Sequence, residues 1–429
     1  MKTPVTLAVL AGALLAGWTA PAAAQNDSNT GYVFVGTNHN NTHPMAPPGE
    51  PANQVVMYRR ASDGALTRMG VFDTGGQGSG PAVRFAGDGL GSARSVQLSH
   101  NRRYLFVANA GSDSVSVFRV SKQGLALTDV EPTGAFPNSV TQHGRRVYVL
   151  CAAGAGSITG YALSSEGTLT PLPGSTRTLD ANQDPVRPDV LFSPAQVAFT
   201  PDGRQLVVTI KDGPTAGALP GVVPTGPGRV LVFGMDENGL PSPGYTRTDL
   251  HNLGPFGFSF DRHGNLLAAL FVGGPNLSGS AGSFRINPEG TLTPITPVAD
   301  NTQIDTCWLE NNGRYAYGAN YSSGTISSYR IDEDGSLTLL DPRAGVTDDL
   351  PGAPGKSQGS TPLDLGISTD GRFLYNVLPG SGAVAGWRIN ADGSLTKIGE
   401  FGGLPETVEG DVAPFEFGWG GSPAGIAVH

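Results

Sequence analysis

Of the seven histidines in the chain, His251 is the one placed to act as a general base. It stands just before an apolar segment, Gly254 to Phe260, with Asp249 two positions upstream. Imidazole titrates near neutral pH, and a neighbouring carboxylate can orient its ring. A solvated loop histidine is the plain alternative. His100, His143 and His263 fall in short polar turns and read as surface residues. His39 and His43 are four residues apart, a spacing that suits a metal only on a helix, and their Asn-rich surroundings read as a loop. Asp180, Asp184, Asp212, Asp300, Asp305, Asp348, Asp349 and Asp411 fall in connecting segments. Loop carboxylates of this kind could ligate calcium, but no EF-hand spacing is present, and solvated charge is the simpler reading. Neither a metal nor another cofactor is expected. Cys151 and Cys307 are too few for a disulfide framework and fall in different repeats. No G-x-S-x-G motif occurs. The run Gly75-Gly76-Gln77-Gly78-Ser79-Gly80 does not open a helical pattern, so it reads as a loop and not as a phosphate cradle.

The elements that must position these groups are short and numerous. The 429 residues include 62 Gly and 34 Pro, while only 15% are charged. Charged residues usually make up ~25% of a soluble domain. The net charge of −9 and the lack of basic clusters argue against a nucleic-acid partner. Gly and Pro punctuate backbone, so many turns are expected between many strands.

A repeat confirms that expectation. A strand ending in an aromatic, a polar tight turn and a Leu-Thr strand recur seven times. Examples are Val55 to Tyr58 with Asp63-Gly64-Ala65-Leu66-Thr67, Ser283-Phe284 with Gly290-Thr291-Leu292-Thr293, and Gly386-Trp387 with Asp392-Gly393-Ser394-Leu395-Thr396. Asp-Gly or Asn-Gly between apolar runs marks a hairpin, because the turn needs positive φ. A second hairpin precedes most copies, as in Val197 to Val208 around Pro201-Asp202-Gly203-Arg204, but only six times. The ends supply the missing one. The chain enters a unit at Tyr32-Val33-Phe34-Val35, and Ser422 to Val428 resembles the opening strand of a unit. Four strands per repeat make a propeller blade. The expected fold is therefore all-β, a seven-bladed β-propeller whose ring is closed by a C-terminal strand completing the N-terminal blade. One domain, residues 25–429, follows a signal peptide at residues 1–24. Lys2, the apolar run Val5 to Leu15 and Ala22-Ala23-Ala24 carry that signal, so the protein is expected to be exported, periplasmic or extracellular. The apolar run is too short to span a bilayer.

Within each blade, the turns joining the first two and the last two strands are tight. The long connections are nearly all of the other two kinds, so one face of the ring is elaborated and the opposite face is plain. The channel opening on the elaborated face is the default binding site. Its wall is expected from the innermost strands, whose candidate ligand-binding residues are Ser95, Asn138, Gln196, Phe256 and Trp308. Asp364 and Asp305 are reserve catalytic acids beside His251. Strand alternation would also turn about half of these side chains into the packing between blades.

Several segments resemble the lactonase seven-bladed β-propeller family, which includes 6-phosphogluconolactonase-like proteins and muconate-lactonising enzymes. The carriers are Ser99 to Val107 with Val115 to Val120, Thr200-Pro201-Asp202-Gly203-Arg204, and Thr369-Asp370-Gly371-Arg372-Phe373-Leu374-Tyr375. The resemblance implies lactone chemistry by a His, a Glu and Arg residues at the channel mouth. The family's histidine-bearing segment falls on Ser193-Pro194-Ala195-Gln196, without a histidine. Its arginine in a G-P-R-H stretch falls on Phe256. Its glutamate falls on Thr306, beside Asp305, which alternation would turn to the opposite side. Its P-R-D stretch falls on Pro362-Leu363-Asp364 and keeps the Asp. Two functions follow as expectations. One is hydrolysis of a lactone or small ester by base-assisted water attack, with channel donors stabilising the oxyanion. The other is a non-catalytic propeller that binds a small-molecule ligand or an exported protein partner on the long-loop face.

Overall fold

In a computed structural model, the described residues are 1, 30–44, 46, 48–80, 88–211, 227–251, 253–271, 279–347, 360–405 and 422–429. Residues 2–24 of the expected signal peptide, and Asp212, Asp348, Asp349 and Asp411, lie outside them. No described helix is long and apolar enough to cross a membrane.

The strands form seven antiparallel sheets, each a blade. The innermost strands, in ring order, are Ala424–Val428, Val96–Leu98, Pro137–His143, Pro194–Phe199, Gly254–Phe260, Thr306–Asn311 and Leu365–Ile367. Blade 1 is the shared one. Ala424–Val428 pairs with Gly31–Gly36, setting Phe34 opposite Ala427 and Val35 opposite Ile426. The expected ring closure is thus present, with the N- and C-terminal strands joined in one sheet. Blade 3 alone splits its outer strand, into Leu169–Pro171 and Arg177–Thr178.

Alternation gives both faces of most strands to neighbouring blades, so the apolar cores lie between blades. Tyr104, Phe106 and Val117 of blade 2 pack with Val147, Val149 and Tyr161 of blade 3. Leu206, Val208 and Phe233 of blade 4 pack with Tyr148 and Leu150 of blade 3. A polar latch reinforces these contacts. The Tyr148 hydroxyl donates to the Gly239 carbonyl (2.7 Å), Tyr317 to Gly393 (3.0 Å) and Tyr375 to Gly64 (2.7 Å). Each tyrosine sits on the second strand of one blade, and each acceptor is the hairpin glycine of the next. Those glycines hold φ between 81° and 93°, where a side chain would be strained. One residue type thereby makes the tight turn and presents its carbonyl to the neighbour.

A second repeated device shapes the channel. The innermost strands of blades 3, 4, 5 and 6 each carry a register shift at their elaborated end, at Pro137/Ser139, Pro194/Gln196, Pro255/Phe258 and Thr306/Trp308. A bulge adds a residue on one strand and re-aims side chains there. The channel is also crossed by chain. Residues Asp88–Arg94, which lead into blade 2, reach over to several blades. Ala93 N–H donates to the Ala195 carbonyl, and the Arg94 carbonyl accepts from Val140 N–H, both at 3.0 Å. Ser92 takes the Trp308 indole N–H on its carbonyl at 3.0 Å and donates its hydroxyl to the Asn138 carbonyl at 2.7 Å.

Candidate functional site

The crossing segment separates two mouths of the channel. On the plain face is an opening of about 420 Å³, lined by groups that include Arg94, Gln97, Arg102 and Glu310. Arg94 and Glu310 form an ion pair at 2.8 Å. On the elaborated face is a smaller pocket of about 50 Å³, walled by Phe256, Phe271, Trp308, Val190, Leu191 and Tyr321 together with Asp88, Asp305 and Cys307. A single water needs roughly 10–15 Å³ by this kind of measure, so the pocket has room for a few waters, and a ring would enter it only in part.

The bulges explain how these side chains meet. Phe256 lies inside the register shift of blade 5 and Cys307 inside that of blade 6. Phe256 and Trp308 then approach to 4.9 Å between ring centroids, and Phe271 meets Phe256 at 6.5 Å. Asp305 and Thr306 face opposite sides, as alternation implies, but the side that lines the pocket is that of Asp305, while Thr306 Oγ1 bonds Asn301 and Asn320. Asp305 precedes the strand, with φ of 58°, and the bulge at Cys307 breaks the period of two. Asp305 and Trp308 consequently share the pocket wall.

Two carboxyls in that wall are incompletely partnered. Asp305 Oδ2 accepts from the Ser322 hydroxyl, while its Oδ1 is enclosed without a hydrogen-bond partner among the described residues. Burial pushes the Asp305 carboxyl up to about 7, with the Ser322 hydrogen bond opposing. Asp88 Oδ1 accepts from Leu90 N–H at 2.9 Å, and its Oδ2 is likewise buried and unpartnered. Burial raises Asp88 above the usual carboxylate range, against opposing backbone hydrogen bonds and the charge of Lys211.

Lys211 supports this wall from behind. It is fully buried, and its Nζ donates to the Gly91 carbonyl and to Ser193 Oγ (3.3 Å). The ammonium also lies 4.5 Å from the centre of the Phe256 ring, within cation–π range. Burial lowers its pKa to about 8, with the nearby Asp88 acting in the opposite direction.

The remaining expected site residues have other places. Gln196 donates Nε2 to the Phe258 carbonyl and accepts Phe258 N–H on Oε1, both at 2.8 Å, so it ties blade 4 to blade 5. Asn138 donates to the Pro194 carbonyl at 2.9 Å. Ser95 is packed against Gly425 of the closing strand. These three are buried between blades and do not line the pocket. Asp364 is buried deeper in the channel and accepts Gly425 N–H on Oδ2 at 2.8 Å. Burial, then the charge of Asp88, raises its pKa well above the usual range. His251 is exposed and follows the outermost strand of blade 4, Thr246–Leu250. Its expected partner Asp249 pairs instead with Arg247 at 2.5 Å. The structure therefore brings together Asp305, Phe256 and Trp308, but not His251. His39 pairs with Glu50 at 2.5 Å, and no group of three or more His, Cys, Asp or Glu among the described residues could hold a metal. Both cysteines are buried and unpaired.

Asp88 and Lys211 were missed by sequence reasoning. Both sit in connections, outside the strand pattern that gave the repeat its signal. The one hint was Lys211, a charged residue directly after the apolar strand Gln205–Ile210.

Seven blades around a plugged channel, with an aromatic and carboxyl-lined pocket at one mouth, define a seven-bladed β-propeller with a candidate site. The chain belongs to the lactonase seven-bladed β-propeller family: the family described as "Lactonase, 7-bladed beta-propeller" matches residues 48–183 and 268–408, well over half of the sequence. None of the curated proteins matches it. Among solved structures it is similar to a candidate 6-phosphogluconolactonase of Bacteroides fragilis, at 16% identity and a TM-score of 0.62, over 94% of this chain and 99% of that one. It is also similar to the periplasmic gluconolactonase of Pseudomonas aeruginosa, at 16% identity and a TM-score of 0.61, over 93% and 99% of the two chains. At such identity the likeness is one of fold.

Proposed function

We propose that this propeller hydrolyses a lactone or small ester at the elaborated mouth of its channel. The observation that carries the reading is the pair of carboxyls, Asp88 and Asp305, in the wall of one pocket, each with a buried oxygen that has no hydrogen-bond partner among the described residues. Asp305, titrating about 7, is suited to general base work near neutral pH. Its carboxylate takes a proton from water as the water oxygen bonds to the lactone carbonyl carbon. Asp88, whose carboxyl burial raises above the usual carboxylate range, donates in its protonated form a hydrogen bond to the resulting oxyanion. Collapse then breaks the bond to the ring oxygen, which receives the proton from Asp305 and leaves as the alcohol of a hydroxy acid.

Family membership supports the reaction class. The family's histidine-bearing segment falls on Ser193-Pro194-Ala195-Gln196, its Arg on Phe256 and its Glu on Thr306; in this reading the two acids take over from those groups. The basic, apolar and Ala-rich N-terminal sequence supports export, and a periplasmic structural neighbour is consistent with it. Cell fractionation with the full chain tests that part.

A binding-only propeller is the second reading, favoured by the small volume of the pocket and the enclosure of Asp305 Oδ1. A lactone panel assayed with wild type, Asp305→Asn and Asp88→Asn separates the two. Hydrolysis that falls about 100-fold or more in Asp305→Asn supports the enzyme. No turnover on any lactone across pH 5–9 sinks it.

A further inference from the structure

Resting on the reading of this pocket as the substrate site, we infer that its ligand is a neutral, largely apolar ring, such as an alkyl-substituted lactone, and not a phosphorylated or polyhydroxylated one.

The first argument is charge. Among the described residues, no arginine, lysine or histidine lines the pocket; the charge-bearing groups in the wall are the carboxyls of Asp88 and Asp305, beside the thiol of Cys307. An anion entering there loses its hydration and meets the Asp305 carboxylate, with no guanidinium among the described lining residues to pair it. The nearest buried cation, Lys211, is not in the wall. Its ammonium is held by Gly91, Ser193 and the Phe256 ring. Arg94 belongs to the other mouth and is paired with Glu310.

The second argument is hydrogen bonding. A polyol must exchange each water contact for a protein donor or acceptor, or lose binding energy. The indole N–H of Trp308 already donates to the Ser92 carbonyl. The rest of the wall is Phe256, Phe271, Val190 and Leu191, with Tyr321. Such a surface favours ring faces that carry C–H bonds. One carbonyl is enough to use the Asp88 donor.

The test compares kcat/KM for δ-hexalactone, glucono-δ-lactone and 6-phosphoglucono-δ-lactone. Calorimetric binding of δ-valerolactam, an inert ring, is measured against gluconate and 6-phosphogluconate. Leu191→Lys adds a cation at the partly exposed rim without entering the core. The expected result is roughly 100-fold preference for δ-hexalactone, narrowed about tenfold in Leu191→Lys. Faster turnover of either sugar lactone overturns the substrate class while leaving the hydrolase intact. If no lactone is turned over, the hydrolase reading fails and binding decides the class. Lactam binding without sugar-acid binding supports it. Binding of the sugar acids, or of none of the three, overturns it.

Discussion

The ammonium of Lys211 stands 4.5 Å from the centre of the Phe256 ring while remaining outside the pocket that the ring lines. A buried charge thus positions an aromatic wall without offering itself to the ligand.

That burial has a pH signature. The folded pKa of Lys211, about 8, is below the ordinary lysine value of 10.5. Between these limits the unfolded chain binds more protons, so stability rises with pH by up to about 3 kcal/mol from this group. Lys211→Met keeps the length of the side chain and removes the titration. The difference in urea unfolding free energy between wild type and variant should rise between pH 8 and 10. A flat difference would contradict the shift.

Asp305 has the opposite sign. Its folded pKa, about 7, exceeds the ordinary 3.8. Between these limits the folded protein holds a proton the unfolded chain has released, so stability falls as pH rises, by up to about 4 kcal/mol. Asp305→Asn should therefore be more stable than wild type at pH 8 and equal to it near pH 3.5. In wild type, hydrolysis should rise with one ionisation and level off above pH 7.

The blade latch is testable with one atom. Tyr375→Phe removes the hydroxyl that donates to Gly64 and keeps the ring buried in its core. A loss of about 1 kcal/mol is expected in chemical denaturation, with kcat/KM unchanged. An equal effect from Tyr148→Phe would establish the latch as a repeated contribution.

Gly425 has φ of 80°, and a Cβ there would lie 2.1 Å from Ser95 Oγ. Gly425→Ala should cost about 2–4 kcal/mol. Because Gly425 N–H also serves Asp364, the variant should disturb the channel as well as the ring. Thermal unfolding of the variant with and without δ-valerolactam reads both effects.

His251→Ala should leave kcat/KM within about twofold, since exposed substitutions away from a site are nearly neutral. A hundredfold loss would return the base to the outer rim.

The blade count, the hairpins and the closing strand were legible because each rests on local chemistry: Asp-Gly and Asn-Gly turns, a period of two, and one strand too few. Phe256 and Trp308 were legible as inner-strand aromatics. The pocket as a unit was not. Bulges at Phe256 and Cys307 interrupt the period of two along the inner strands. Asp88 and Lys211 meet through the crossing of residues 88–94, which no periodicity announces. His251 is adjacent in sequence to an inner strand, yet in space it belongs to the outermost strand of the preceding blade.

The closing strand has a kinetic side. It joins partners as far apart in sequence as Asn38 and Ser422, separated by 384 positions, and contacts this non-local form slowly. Asp364 acquires its Gly425 partner only when that strand docks. Asp364 therefore reaches its final environment in the same event that shuts the ring. A half-closed molecule would carry much of its secondary structure and still have an unfinished channel. Recovery of ligand binding during refolding should accordingly lag behind recovery of strand signal.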